Sequence, residues 1–189
     1  MARLRTFIAI DLGKGLRARL ASLQETLARS ASEVKWVEEE NLHLTLLFLG
    51  EVDFRDVPKV CQAVESAAGK HAAFPMQVTG VGAFPNLRRP RTLWVGVTDG
   101  AAAVTALHDD LEGPLLDLGC YRREDRPYTP HITVGRLKGD RHGDKLGEAL
   151  ARRSDWQAGE TTVSEVQVLS SELTPQGPIY TVLGRAKLG

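Results

Sequence analysis

Apolar residues along the chain alternate with polar ones at a period of two in some stretches and recur every three or four positions in others. Residues 6–12 carry Phe7 and Ile8 and predict a strand, which Gly13 and Gly15 end. Leu16, Leu20, Leu23 and Leu27 then share one face at helical period, so a helix is expected over 16–29. Arg17, Arg19, Gln24 and Glu25 fall off that face. A short strand anchored by Trp36 is expected at 34–37. Over 42–49, up to Gly50, strict alternation puts Leu44, Leu46 and Phe48 on one face and His43, Thr45, Leu47 and Leu49 on the other. A helix is expected at 57–68, with Pro58 tolerated in its first turn. Residues 76–84 predict a strand that Gly80 and Gly82 bend or bulge.

The second half repeats the mixture. Strands are expected at 92–97 and 129–137, with helices at 102–118 and 145–153. Gly113-Pro114 predicts a break or kink in the first of these helices. Residues 138–144 read as a polar loop, and strands 163–173 and 179–187 as a hairpin through Pro175-Gln176-Gly177-Pro178. No low-complexity linker divides the chain, and regular βαβ alternation is missing. This order predicts an α+β fold with antiparallel sheets in one domain over 1–189, loosely duplicated.

Two stretches carry the chemistry. His43-Leu44-Thr45-Leu46 and His131-Ile132-Thr133-Val134 both read His, apolar, Thr, apolar. On a strand, His and Thr share one face and the apolar pair can be buried behind them. Two such strands can offer two imidazoles and two hydroxyls to one cleft. Imidazole titrates near ~6.5, so one can donate a proton and the other accept one at neutral pH, as phosphodiester chemistry requires. The hydroxyls can hold non-bridging oxygens, and no metal is needed. A metal-dependent hydrolase with His43 and His131 as ligands is the competing chemistry. Arg136 stands five positions after His131, which in an ideal strand places it on the opposite face unless the strand bulges. Arg88, Arg89 and Arg91 form a basic cluster, and Trp36, Trp94, Phe48 and Tyr128 are aromatics able to pack a cleft wall or stack on a base. His71, His108 and His142 are expected at the surface.

Composition narrows the partners. The 189 residues are 42% hydrophobic and 25% charged, with 24 Lys plus Arg against 24 Asp plus Glu. A net charge of zero argues against strong sequence-independent binding to long nucleic acid, though not against a small phosphate ligand held by local arginines. Cys61 and Cys120 lie in no metal-ligand spacing and are expected as reduced thiols. The apolar run at 7–10 is too short for a signal core or membrane span, so a cytoplasmic protein without membrane association is expected.

The whole-chain pattern resembles the 2H phosphoesterase superfamily, and within it the RNA 2′,3′-cyclic phosphodiesterases, historically called 2′-5′ RNA ligases. The resemblance rests on Arg5-Thr6-Phe7-Ile8-Ala9-Ile10-Asp11-Leu12, Trp36-Val37, Glu40-Asn41-Leu42 ahead of His43, and the run from His43 to Val52. It continues through Arg91-Thr92-Leu93-Trp94-Val95-Gly96, Pro130 to Arg136, and Gly177-Pro178-Ile179-Tyr180. It implies two pseudo-symmetric lobes with antiparallel sheets and flanking helices around a central cleft. It implies hydrolysis of a 2′,3′-cyclic phosphate on RNA ends or nucleotides to a 2′-phosphate, without cofactor or metal, by a monomer. By position His43 matches the proton donor and His131 the proton acceptor, while Thr45, Thr133 and Arg136 match the phosphate-binding residues. Leu47 stands where some relatives carry a basic residue. The resemblance also implies 2′-5′ RNA joining as a secondary, reverse activity. The alternative of another class is a non-catalytic module that binds nucleotides or RNA ends.

Overall fold

The computed structural model describes residues 2–31, 33–139 and 143–189; His142 and the centre of the expected polar loop lie outside the described residues. The chain runs β1 (Arg3–Asp11), α1 (Gly13–Ala28), β2 (Val34–Trp36), β3 (His43–Asp53), α2 (Val57–Ala68) and β4 (Phe74–Phe84). It continues with β5 (Thr92–Val97), α3 (Ala101–Asp117), β6 (His131–Leu137), α4 (Gly143–Ala151), β7 (Gln157–Val163), β8 (Glu165–Thr174) and β9 (Gly177–Lys187). The fold is α+β, with antiparallel sheets ordered β3-β1-β8-β9 and β2-β6-β5-β4-β7.

A strand–helix–strand–helix unit occurs twice, as β1-α1-β3-α2 and as β5-α3-β6-α4. In each unit the HxT strand pairs with the strand that precedes the first helix. The helices cross over between sheets. The helix α1 leaves the first sheet and packs on β6 and β7 of the second; α3 leaves the second sheet and packs on β3. The helix α2 lies on β8 and β9. The first sheet takes β8 and β9 from the C-terminal end, and the second takes β2 and β4 from the N-terminal half. One continuous core joins them, from Ile8, Leu44 and Val168 to Val95, Ile132 and Ala158. The leucines predicted on the apolar face of α1 are all buried.

Several boundaries differ from the sequence reading. The strand β3 continues past Gly50, which takes φ +72, to Asp53. The strand β7 goes beyond the sequence expectation, because Gln157, Glu160, Thr161 and Thr162 give its pattern little apolar alternation. The helix α3 carries Pro114 without a break in its assignment. Pro114 sits near the C-terminus, so its missing N–H and its ring disturb only the turn before it.

Candidate active site

The two HxT strands carry the same backbone irregularity at the same place. Against β1, Ile8 pairs with Leu47 and Ala9 with Thr45, so Leu46 is the extra residue of a bulge. Against β5, Leu93 pairs with Gly135 and Trp94 with Thr133, so Val134 is the extra residue. In each case the fourth residue of the motif is the bulge. A bulge reverses the alternation beyond it. Leu46 and Leu47 are therefore both buried, and Phe48 is turned outward with 54% exposure. That corrects the expectation of a buried Phe48. The same reversal buries Val134 and Gly135 in succession and returns Arg136 to the face of His131 and Thr133. The objection from ideal alternation is thus removed by a bulge, and Phe48 and Arg136 are the pseudo-symmetric counterparts of one another.

Side chains from other segments occupy carbonyls at these bulges. The Tyr128 hydroxyl donates to the Thr45 carbonyl at 2.8 Å. The Gln24 side-chain amide donates to the Val134 and Val37 carbonyls, each at 2.8 Å. Gln24, expected off the apolar face, is only 7% exposed for this reason. Gly135 admits no side chain, since an added Cβ would lie 2.7 Å from Val34 and 2.9 Å from Trp36.

Each imidazole is oriented by its own strand. His43 Nδ1 lies 2.6 Å from the Asn41 carbonyl, and His131 Nδ1 lies 2.7 Å from the Thr129 carbonyl. A carbonyl accepts only, so Nδ1 carries a proton in both rings and Nε2 is the nitrogen free for chemistry. His43 Nε2 lies 2.7 Å from the Thr45 hydroxyl. Asn41 acts twice, because its side-chain amide also donates to the Pro178 carbonyl at 2.9 Å and ties the β8–β9 hairpin to the turn before His43.

The surroundings of the two rings differ. His43 is packed by Phe7, with ring centroids 5.0 Å apart, and edge-on by Tyr180 at 5.4 Å. His131 meets Phe84 edge-on at 5.0 Å. Burial holds the His43 pKa below its usual 6.5, against the opposing pull of the Asn41 carbonyl and the charge of Asp11. Asp11 pairs with Arg17. The Tyr180 phenol is pushed up by burial, while Arg136 and Arg5 pull it down. The two HxT strands meet across the joint of the sheets, since β3 and β6 are in contact and Tyr128, just ahead of β6, bonds the Thr45 carbonyl on β3. Beside His43 the cleft opens into a hollow of about 400 Å³ that includes Asp11, Arg17, Gln167, Tyr180 and Arg185. Arg136 reaches the Thr92 hydroxyl at 3.3 Å.

The remaining candidates divide. Arg88 and Arg89 are exposed on the β4–β5 loop, their backbone N–H groups held by the Asn86 side chain at 3.0 Å each. Trp94 lies across Gly82, where an added Cβ would be 2.3 Å from its ring. His71 pairs with Asp110 at 2.8 Å. His108, expected at the surface, is 7% exposed and stacks on Tyr128 with centroids 4.0 Å apart. Both cysteines are free and partly buried. No helix among the described residues is long and apolar enough to cross a membrane. Sequence reasoning assigned no site role to Gln24, Asn41 or Tyr180. Alternation around a bulge hides the first. Asn41 and Tyr180 stood in the motif flanks, and only tertiary contact shows what they hold.

A curated RNA 2′,3′-cyclic phosphodiesterase of Methanothermobacter thermautotrophicus is 39% identical over 179 residues, covering 95% of this chain and 96% of the relative. One of the same name from Thermotoga maritima is 36% identical over 180 residues, covering 95% and 93%. Among solved structures, TT0787 of Thermus thermophilus superposes with a TM-score of 0.82 at 31% identity, covering 98% of both chains. Escherichia coli LigT complexed with 3′-AMP shares the fold with a TM-score of 0.80 at 24% identity, covering 99% of both. The family model of the 2′-5′ RNA ligase superfamily matches residues 14–175. With matches over nearly its whole length, the chain belongs to the 2′-5′ RNA ligase superfamily, with the fold of the LigT-like 2H phosphoesterases.

Proposed function

We propose that the protein is an RNA 2′,3′-cyclic phosphodiesterase that hydrolyses a terminal cyclic phosphate on RNA or a nucleotide to a 2′-phosphomonoester. The observation that carries this reading is the pair of equivalently tied imidazoles, each with Nδ1 on a carbonyl two residues back and Nε2 turned away from it, that of His43 toward the Thr45 hydroxyl that would share it with the phosphate. His131 Nε2 takes a proton from water as the oxygen attacks phosphorus. The bond from phosphorus to the 3′ oxygen breaks, and that oxygen takes the proton of His43 Nε2. The products are a 2′-phosphate and a 3′ hydroxyl, and the two histidines return to their starting states by exchange with solvent. Thr45 and Thr133 donate to the non-bridging oxygens, and Arg136 offsets their charge. Every proton has a protein donor or acceptor, so no step calls on a metal. Attack by a 5′ hydroxyl in place of water would give 2′-5′ joined RNA. A cytoplasmic monomer is part of the same proposal.

The test is incubation with RNA ending in a 2′,3′-cyclic phosphate in the presence of a chelator. The expected product is the 2′-phosphate, formed at an undiminished rate. Loss of activity on chelation would sink the metal-independent scheme. Tight binding with no product would make the protein an RNA-end-binding module instead.

A further inference from the structure

Two cations on the His131 and Thr133 side of the second sheet face each other directly and form no ion pair among the described residues. Lys35 on the edge strand β2 pairs directly with Arg136 on β6. Paired residues share a face, and the bulge at Val134 puts that face on the side of His131 and Thr133. Like charges directly opposite across an antiparallel pair are destabilising. Some other exposed cations have carboxylate partners, as in Arg55 with Asp53, Lys59 with Asp56 and Arg185 with Glu165, but what sets Lys35 and Arg136 apart is that two cations face each other directly. Lys35 and Arg136 have no ion pair among the described residues. Arg136 bonds instead to Thr92, on the strand lying away from β2. The strand β2 is firmly set, because Val34 and Trp36 close over Gly135 from the core side. Lys35 is exposed between them.

We propose that Lys35, facing Arg136, forms a second anion subsite that holds the phosphate on the 5′ side of the terminal nucleotide. Ordinary strand spacing puts the Lys35 backbone about 8 Å from that of Thr133, beyond the reacting phosphate but within reach of the next one along the strand. With Arg136 engaged on the reacting phosphate, the second phosphate lies at Lys35, and the two anions together offset the repulsion between the two cations. The subsite deepens the proposed phosphodiesterase reading, on which it rests, and names the preferred substrate class as RNA ends with an internucleotide phosphodiester, over nucleoside cyclic phosphates.

The experiment compares adenosine 2′,3′-cyclic phosphate, its 5′-phosphorylated form, and a diadenosine ending in a cyclic phosphate. Lys35→Gln should lower kcat/KM on the diadenosine by roughly fivefold to tenfold, mainly through KM, and flatten its salt dependence by close to one charge. It should change turnover of adenosine cyclic phosphate by less than about twofold, and Lys35→Arg should retain the wild-type preference. Equal loss on all three substrates, or loss on none, overturns the subsite. Loss confined to the 5′-phosphorylated mononucleotide overturns the assignment to RNA. If the wild-type protein turns over none of them, the phosphodiesterase reading fails by itself. Calorimetric binding of the diadenosine to wild type and Lys35→Gln then decides the subsite, with the same difference expected.

Discussion

Because the Nδ1 proton of each imidazole is committed to a carbonyl, protonation can change only at Nε2. For His43 this sets up an opposition. Burial favours its neutral form, whereas a proton donor must enter the reaction charged. A bound phosphate supplies the negative charge that would raise the pKa again. Titration of the His43 ring by NMR should therefore give a value below 6.5 in the free protein and a higher one with a 2′-nucleotide bound. An unchanged value on binding would argue that His43 is the base and His131 the acid. The sign for stability follows from the same shift. Between the lowered folded pKa and 6.5 the unfolded chain binds more protons, so the His43 contribution is full above 6.5 and fades as pH falls through that window. His43→Ala and His131→Ala should each cost about 10²–10⁴ in kcat, and the double variant little more than either, since the two rings act as one unit. Additive losses in single-turnover assays would contradict a shared step.

At the scale of elements, the paired bulges explain why one part of the site was legible and another was not. His43, Thr45, His131 and Thr133 precede the bulges, so period-two reasoning placed them correctly. Phe48 and Arg136 follow them, and the same reasoning put both on the wrong face. A bulge inside an apolar run such as Leu46-Leu47 leaves no sequence mark, and only Gly135 hinted at the second one. The bulges depend on side chains from other elements. Replacing Gln24 by Met keeps the bulk and deletes two donors to buried carbonyls, which should cost about 1–3 kcal/mol in urea denaturation. Tyr128 stands three residues before His131 and holds the strand of His43, so it ties the two HxT strands together. Tyr128→Phe keeps the stack on His108 but loses that bond. It should cost about 1 kcal/mol of stability and lower kcat more than it raises KM. A rise in KM alone would mean that the hydroxyl serves binding and not alignment.

At the scale of the whole molecule, the duplication visible in the sequence does not divide the chain into two self-sufficient halves. The sequence order showed strands and helices around each HxT stretch, yet sheet membership depends on pairing between distant segments, which periodicity does not encode. Sheet one lacks β8 and β9 without the C-terminal half, and sheet two lacks β2 and β4 without the N-terminal half. The helix α1 covers β6 and β7, so the second sheet also loses part of its apolar cover when the halves are parted. Each half alone would expose core residues such as Leu20, Leu44 and Ile132, which are fully buried in the intact fold. The proposal that 1–189 forms one domain therefore has a direct consequence. Chains cut in the exposed β4–β5 loop at Arg88-Arg89, ahead of the second strand–helix–strand–helix unit, should each be largely unstructured by circular dichroism and regain helix and strand signal on mixing. The uncut protein should unfold in one transition with fluorescence and circular dichroism coinciding. A stably folded single fragment, or two separated transitions, would show that each HxT unit folds by itself and that the cleft is assembled from finished lobes.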